Sequence, residues 1–140
     1  LHADNLNHSD IATSLTNIAL YYDNKGDYAK ALEFLEESYT IKKNIYKNNL
    51  HHYDFFETFN DMGQVYLRLG NYEKSLYYYE NSYRILKEFF SDNPNHPDIA
   101  IVLNNIGQCY YRKSDYETAL EFYKKSLEIR KIISVDWSTN

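Results

Sequence analysis

The sequence lacks a second cysteine, a long apolar run and an excess of basic residues. Because Cys109 stands alone, a disulfide bond within the chain is excluded, which fits a protein kept in a reducing compartment. We therefore expect a cytoplasmic location. No apolar segment approaches the roughly 18 residues that a membrane-spanning helix needs, and no signal peptide is visible. The sequence thus predicts no membrane partner.

The charge balance argues against nucleic acid as a partner. Fifteen basic and 20 acidic residues give a formal net charge of −5. A protein that binds a nucleic-acid duplex needs a basic stripe to neutralise phosphates. Helical repeats that bind single-stranded RNA are the rival class of solenoid, and the acidic balance disfavours them too. A local basic patch stays compatible with this composition.

Motifs for catalysis, cofactors and metals are also missing. The sequence contains no glycine-rich phosphate loop, serine-hydrolase motif, zinc pattern or cysteine–histidine pair at catalytic spacing. His8, His52 and His96 recur at one spacing, but neighbouring helix pairs about 10 Å apart would hold them too far apart for metal bonds of about 2 Å. We therefore predict that these histidines mark helix entries and that Cys109 is a small packing residue. We expect no enzymatic activity, no cofactor and no metal.

What the sequence does contain is a unit of 44 residues that occurs three times. In the last copy, apolar residues recur at intervals of three and four along two segments joined at 113–115, as in a helical hairpin. The landmarks return without drift in sets such as Tyr22, Tyr66 and Tyr110; Tyr28, Tyr72 and Tyr116; Leu32, Leu76 and Leu120; and Ser38, Ser82 and Ser126. A constant period of this length indicates a solenoid, in which each hairpin buries its apolar face on the next.

At these residues the chain resembles the tetratricopeptide repeat family, over about positions 9 to 133. The first helix of each unit, helix A, carries a large residue, an apolar–small pair and an aromatic residue, and small residues follow in helix B. The large residues and pairs are Leu15 with Ile18-Ala19, Phe59 with Met62-Gly63, and Leu103 with Ile106-Gly107. The unit is longer than the roughly 34 residues usual for the family. With this length, and with His96-Pro97-Asp98 opening the third helix A, it resembles the kinesin-light-chain-type subgroup.

The resemblance implies an all-α fold, a right-handed solenoid of three helix–turn–helix repeats at about 9–52, 53–96 and 97–133. We expect one domain over 1–140, with frayed residues 1–8, a first helix capped by Ser9 or Asp10, and a tail at 134–140 whose Trp137 could pack on the last helix. The chain begins with Leu1, and one more period added to His96 reaches position 140. We therefore expect a fragment of a longer repeat array.

The turn of the third repeat departs from the other two. Gly26 and Gly70 stand where a left-handed conformation ends a helix at little cost, whereas Ser114 stands there in the third repeat. A serine forced to a positive φ costs on the order of 1 kcal/mol. We therefore predict a strained turn at Ser114.

The resemblance also implies that the A helices line a concave groove that binds a peptide. The candidate groove residues are Asn17, Asn60, Asp61, Gln64, Arg68, Asn104, Asn105, Gln108 and Arg112. Amide side chains both donate and accept hydrogen bonds, which suits an extended peptide backbone, while Arg68 and Arg112 could pair with acidic residues of that peptide. For Asn17, Asp61 and Asn105, the alternative is that they tie neighbouring helices together.

Two further groups of residues bear on the groove. Thr13, Glu57 and Ile101 stand where a lysine of the family's carboxylate clamp would be, which disfavours a receptor for chaperone tails. The charged residues of the first helix B, among them Glu36, Glu37, Lys42 and Lys43, indicate a solvated charged face.

We therefore predict a non-enzymatic module that binds a segment of a protein partner, with acidic residues among those it selects. One alternative is a structural spacer or a self-association module, whose uncapped ends stack on further repeats. Another is a regulatory domain attached to a catalytic domain outside this chain.

Overall fold

The structure, a computed structural model, describes residues 2–138 and the side chains of residues 8–135. This part of the chain forms helices and no strands. The helices are α1 His2–Lys25, α2 Tyr28–Ile45, α3 Phe55–Leu69, α4 Tyr72–Phe89, α5 Pro97–Arg112 and α6 Tyr116–Ser138. The all-α repeat fold predicted from the sequence is confirmed.

The helices form three hairpins, α1 with α2, α3 with α4, and α5 with α6, and each hairpin packs on the next. Helix α3 also contacts both of the other A helices, α1 and α5, whereas no contacts join the B helices α2, α4 and α6 within the described part of the chain. The stack therefore brings the A helices together along one wall, which we call the inner wall.

A buried serine closes each hairpin. Ser38, Ser82 and Ser126 occupy the same position of the three B helices, and their hydroxyl groups donate to A-helix carbonyl oxygens at 2.9, 3.0 and 2.7 Å. A side chain this small lets the two helices approach, and its hydrogen bond removes the cost of burying a polar group. This contact explains why the repeat keeps a small residue there.

The predicted helix-entry role holds for two of the three histidines. A ring nitrogen of His52 accepts a hydrogen bond from the amide of Asp54 at 3.2 Å, and His96 does the same for Asp98 at 3.1 Å. For His8 the prediction is wrong, because this residue lies within α1. Cys109 is fully buried, as predicted, and its sulfur lies 2.9 Å from the hydroxyl of Ser75.

Both ends of the described chain are more helical than the sequence analysis predicted. Helix α1 already begins at His2 rather than at a cap on Ser9 or Asp10, and the carbonyl of Ser9 accepts a hydrogen bond from Thr13 inside the helix. Helix α6 continues to Ser138 instead of ending near 133. Neither segment contains proline or glycine, so nothing in them interrupts a helix. The proposed packing of Trp137 lies outside the described side chains.

The positive φ predicted at the third turn is present. Ser114 has a φ of 66°, close to the values of 83° and 81° at Gly26 and Gly70 in the first two turns. The turn geometry is therefore the same in all three repeats, and in the third a side chain occupies a conformation that favours glycine.

Replacing Ser114 by glycine should therefore raise the free energy of unfolding by about 0.5–1 kcal/mol, because the relief of strain exceeds the added freedom of the unfolded chain. Urea denaturation followed by circular dichroism measures the change. The matched control is Gly70→Ser, which should lower the free energy of unfolding by a similar amount. A less stable Ser114→Gly variant would show that the turn is not strained.

Candidate functional site

The inner wall carries a central cleft of about 340 Å³ between α1, α3 and the start of α5. Its lining includes three of the predicted groove residues, Asn17, Asn60 and Asp61. Leu20, Phe56 and Ile101 supply apolar surface, and Glu57, Asp61 and Asp98 supply carboxyl groups. The cleft therefore combines apolar walls with negative charge.

A second cleft of about 320 Å³ lies further along α3 and α5. It gathers five predicted groove residues, namely Gln64, Arg68, Asn105, Gln108 and Arg112. Its lining is rich in hydrogen-bond donors and has no carboxyl group. Asn104, the remaining predicted residue, is half-buried and lines neither cleft.

The central cleft contains a lysine that the sequence analysis assigned to a solvated face. Lys42 of α2 is half-buried, and its Nζ donates to the hydroxyl of Thr58 at 2.8 Å and to the carbonyl of Asp54 at 3.1 Å. Burial lowers the pKa of Lys42, and the nearby carboxylates of Asp54, Glu57 and Asp61 oppose this shift. The assignment of Lys42 was wrong because its long side chain crosses to α3, while Glu36 and Glu37 are exposed as predicted.

The carboxyl group of Asp61 is the most perturbed acid of the cleft. Burial raises its pKa to about 7, the negative charge of Glu57 adds to this effect, and Lys42 acts in the opposite direction. Asp61 is half-buried, and none of the described residues donates a hydrogen bond to its carboxyl group. Near neutral pH the charge of the cleft therefore depends on whether Asp61 is protonated.

Arg68 is already paired within the chain. Its Nη1 lies 2.9 Å from Oδ2 of Asp23, whose side chain is only 3% exposed, and Gln64 donates to the same oxygen at 3.4 Å. The second oxygen of Asp23 has no partner within the described residues. Burial raises the pKa of Asp23, although the charge of Arg68 works against this. Arg68 therefore joins α1 to α3, and the sequence analysis missed its partner Asp23.

The candidate asparagines and Asp61 differ in their contacts. The Asn105 amide donates to the side-chain oxygen of Asn60 at 3.0 Å, so this pair ties α5 to α3 between the two clefts. Asn17 is exposed and lines the central cleft. The amide pair thus favours the helix-tying interpretation for Asn105, whereas Asn17 and Asp61 face open space.

Arg112 is the arginine that remains available in the second cleft. It is exposed, and no carboxylate among the described side chains pairs with it. Gln108 beside it is exposed as well. Together they offer charged and neutral donors to a ligand.

The described residues were also searched for membrane-spanning helices and for groups of metal-ligating side chains. None of the described helices is both long and apolar enough to cross a membrane. Within the same residues, no three His, Cys, Asp or Glu side chains are grouped closely enough to hold a metal ion.

Comparison with known proteins agrees with the repeat architecture. Two family models described as tetratricopeptide repeat match residues 11–52 and residues 54–132, the latter being more than half of the chain. No curated protein matches the chain. Among solved structures, the N-terminal domain of stress-induced protein-1 (STI-1) from C. elegans is similar, with a TM-score of 0.65 and 14% sequence identity over 87% of this chain and 86% of that one. At this identity the likeness shows the fold alone.

Proposed function

The chain belongs to the tetratricopeptide repeat family, a family of protein–protein interaction modules, and we propose that its inner wall binds an extended segment of a partner protein. The observation that supports this most strongly is that the two clefts of the inner wall differ in charge. The central cleft is acidic and the second cleft offers donors from Arg112, Gln108 and Gln64. A segment that crosses both clefts therefore meets two different chemical environments.

The central cleft suits a basic side chain of the partner. The stem of a lysine or arginine can pack on Leu20, Phe56 and Ile101 while its charged end lies near Glu57 and Asp61. An acidic side chain in the same cleft would face repulsion from these carboxylates. The acidic residues that the sequence analysis expected in the partner therefore belong elsewhere along the segment.

The second cleft suits those acidic residues and the peptide backbone. Arg112 can donate two parallel hydrogen bonds to a carboxylate, and the amide of Gln108 can donate to and accept from a backbone. Arg68 contributes less here because Asp23 already occupies its Nη1. We propose a partner segment with a basic residue over the central cleft and an acidic residue over Arg112.

We place the module in the cytoplasm because Cys109, its single cysteine, is buried and suits a reducing environment. We also treat residues 1–140 as one interaction domain with repeats at about 9–52, 53–96 and 97–133. Membership of the kinesin-light-chain-like subgroup stays a prediction from the 44-residue period.

Selection from a random peptide library on the purified domain tests the proposed function. We expect enriched peptides to share a basic residue and an acidic residue at a fixed spacing. Glu57→Lys and Arg112→Glu should each weaken binding of these peptides at least about tenfold, as removal of a charged hydrogen-bond partner would. Glu37→Lys and Arg84→Glu are the matched controls, because both residues are exposed on B helices, and they should bind normally.

The same experiment can also reject the proposal. If no peptide is enriched, or if Glu57→Lys and Arg112→Glu bind as well as the controls do, the inner wall does not bind a segment of this kind. A spacer or self-association role would then account better for the repeats.

A further inference from the structure

A groove of about 370 Å³ opens on the side of α5 that faces away from the inner wall. The apolar part of its lining is Tyr83 of α4, Ile99 and Leu103 of α5, and Ile129 of α6. Ile99 and Leu103 each lie two positions from Ile101, which lines the central cleft. Because an α-helix has 3.6 residues per turn, residues two positions apart point to nearly opposite sides. We call this opening between α4 and α6 the outer groove.

The outer groove lies between the second and third repeats, and helices of both repeats line it. Lys124 and Glu128 of α6 belong to the lining and are exposed. Their counterparts on α4 are Glu80 and Arg84, which are exposed although α5 packs on α4. A further repeat packed on α6 in the same way would therefore leave the outer groove open.

At the corresponding place between the first and second repeats, aromatic rings fill the space. Phe55 and Phe59 stand where α5 has Ile99 and Leu103, and both phenylalanines are buried. The centroids of their rings each lie 5.8 Å from the ring centroid of Tyr39, on the B helix before them. Isoleucine and leucine have smaller side chains without a ring, so this space is open in the outer groove. A phenylalanine side chain from a partner is thus a group that restores the packing.

Lysines surround the apolar part of the outer groove. Lys87 of α4 and Lys124 and Lys125 of α6 line it, and all three are exposed. No carboxylate among the described side chains forms an ion pair with them. The Nζ of Lys87 lies 5.3 Å from the centroid of the Tyr83 ring, at the edge of the apolar lining. With Glu128 as the carboxyl group of the lining, the outer groove has an excess of positive charge on a chain whose formal net charge is −5.

We propose that the outer groove binds a second protein segment, in which one phenylalanine is flanked by acidic residues. The ring packs on Leu103 and Ile129, and the neighbouring carboxylates pair with Lys87 on one side and with Lys124 on the other. Burial of the ring supplies most of the affinity, because ion pairs at exposed lysines contribute little by themselves. The lysines select the acidic neighbours, and a basic segment is repelled.

The outer groove and the inner wall are separate sites. The outer groove shares no lining residue with the central cleft or with the second cleft. The two sites lie on opposite sides of α5, so a segment in one does not block the other. The domain can therefore hold two partner segments at once, and binding in the outer groove does not rest on the function proposed for the inner wall.

Calorimetric titration of the domain with a short capped peptide, which has one phenylalanine between two pairs of glutamates, tests the outer groove. We expect saturable binding of one peptide per domain, which weakens as the salt concentration rises. Exchange of the peptide's phenylalanine for alanine should weaken binding at least about tenfold, because the burial of the ring is lost. Leu103→Phe in the domain should have the same effect, since it fills the outer groove from within as Phe59 does at the first junction.

The double variant Lys87→Glu with Lys124→Glu should also weaken binding of the phenylalanine peptide at least about tenfold. Its matched control is Lys30→Glu with Lys74→Glu, which changes the net charge equally. Lys30 and Lys74 are exposed, lie outside the outer groove and have a tyrosine ring beneath the ammonium group, as Lys87 has. The control should bind the peptide like the wild type. Circular dichroism establishes that each variant is folded, and the lysine variants test the site even if Leu103→Phe does not fold.

Nuclear magnetic resonance of the complex locates the peptide, and we expect Overhauser contacts from its ring to the methyl groups of Leu103 and Ile129. The proposal is overturned if the peptide does not bind at millimolar concentration, or if the alanine peptide binds as tightly. It is equally overturned if the two double lysine variants bind alike. Glu57→Lys and Arg112→Glu leave the outer groove intact and should bind this peptide normally, so a failure of the inner wall and a failure of the outer groove are told apart.

Discussion

Replacing Arg68 by methionine should lower the free energy of unfolding by about 3 kcal/mol at pH 7. Methionine keeps the volume and flexibility of the side chain but leaves Asp23 without the cation that lies 2.9 Å from its Oδ2. The side chain of Asp23 is 3% exposed and its Oδ1 has no partner within the described residues, so we expect water to replace the lost interaction only in part. Urea denaturation at pH 7 measures the loss.

The double variant Asp23→Asn with Arg68→Met isolates the cause of this loss. It should be more stable than Arg68→Met alone, because it removes the uncompensated charge. Arg112→Met is the matched control, since Arg112 has the same repeat position but no carboxylate partner among the described side chains, and it should change stability little. If Arg68→Met is no less stable than this control, the contact between α1 and α3 does not depend on the ion pair.

Replacing Asp61 by asparagine should raise the free energy of unfolding by about 2 kcal/mol at pH 8 and change it little at pH 4. Burial and the charge of Glu57 raise the pKa of Asp61 from 3.8 to about 7 in the folded state. Between these values the folded protein binds more protons than the unfolded protein, so wild-type stability falls as the pH rises through this window. The full shift corresponds to about 4 kcal/mol, and we expect less because water reaches the open cleft.

Urea denaturation of wild type and variant at pH 4, 6 and 8 measures this difference. The control is Asp92→Asn, in the exposed loop before α5, which should behave like the wild type at each pH. Equal stabilisation by Asp61→Asn at pH 4 and pH 8 would mean that the titration of Asp61 is not the cause. A loss of stability at pH 8 would mean that the Asp61 carboxylate has a favourable partner.

The repeat pattern predicted those features that depend on local sequence. Helix ends at Gly26 and Gly70, the positive φ of Ser114 and the helix-entry positions of His52 and His96 follow from short-range chemistry, and the structure confirms them. The fold class follows from the repeat as well, because each copy of the unit has to bury its apolar face on the neighbouring copy. The start of α1 and the end of α6 were harder to predict, because the absence of a helix-breaking residue is a weaker signal than its presence.

The electrostatic features of the site could not be read from the repeat. Asp23 has Leu67 and Tyr111 at its positions in the other two repeats, so the pattern marks this position as apolar. Lys42 has Leu86 and Arg130 at its positions, and only the three-dimensional packing shows that its side chain crosses to α3. Contacts between helices of different repeats join residues far apart in the chain. The sequence signal for these contacts was that Asp23 and Lys42 differ in character from the residues at the same position of the other repeats.

The predicted groove residues divided according to these contacts. Asn60 and Asn105 bind each other, Arg68 binds Asp23, and Arg112 with Gln108 stays open to a ligand. The repeat placed all these residues on one wall, but it could not show which of them already had partners. We therefore propose that acidic residues of the partner lie over the second cleft and that a basic residue of the partner lies over the central cleft.

A charge-reversal experiment tests the inner wall as a binding site most directly. The affinity of a selected peptide is measured by fluorescence anisotropy for wild type and Arg112→Glu, together with a second peptide in which lysine replaces the acidic residue. If the acidic residue of the peptide contacts Arg112, the Arg112→Glu variant should no longer bind the first peptide. It should bind the second peptide at least about tenfold more tightly than the wild type does. If the second peptide binds wild type and Arg112→Glu with equal affinity, the peptide does not contact Arg112 and the proposed binding mode is wrong.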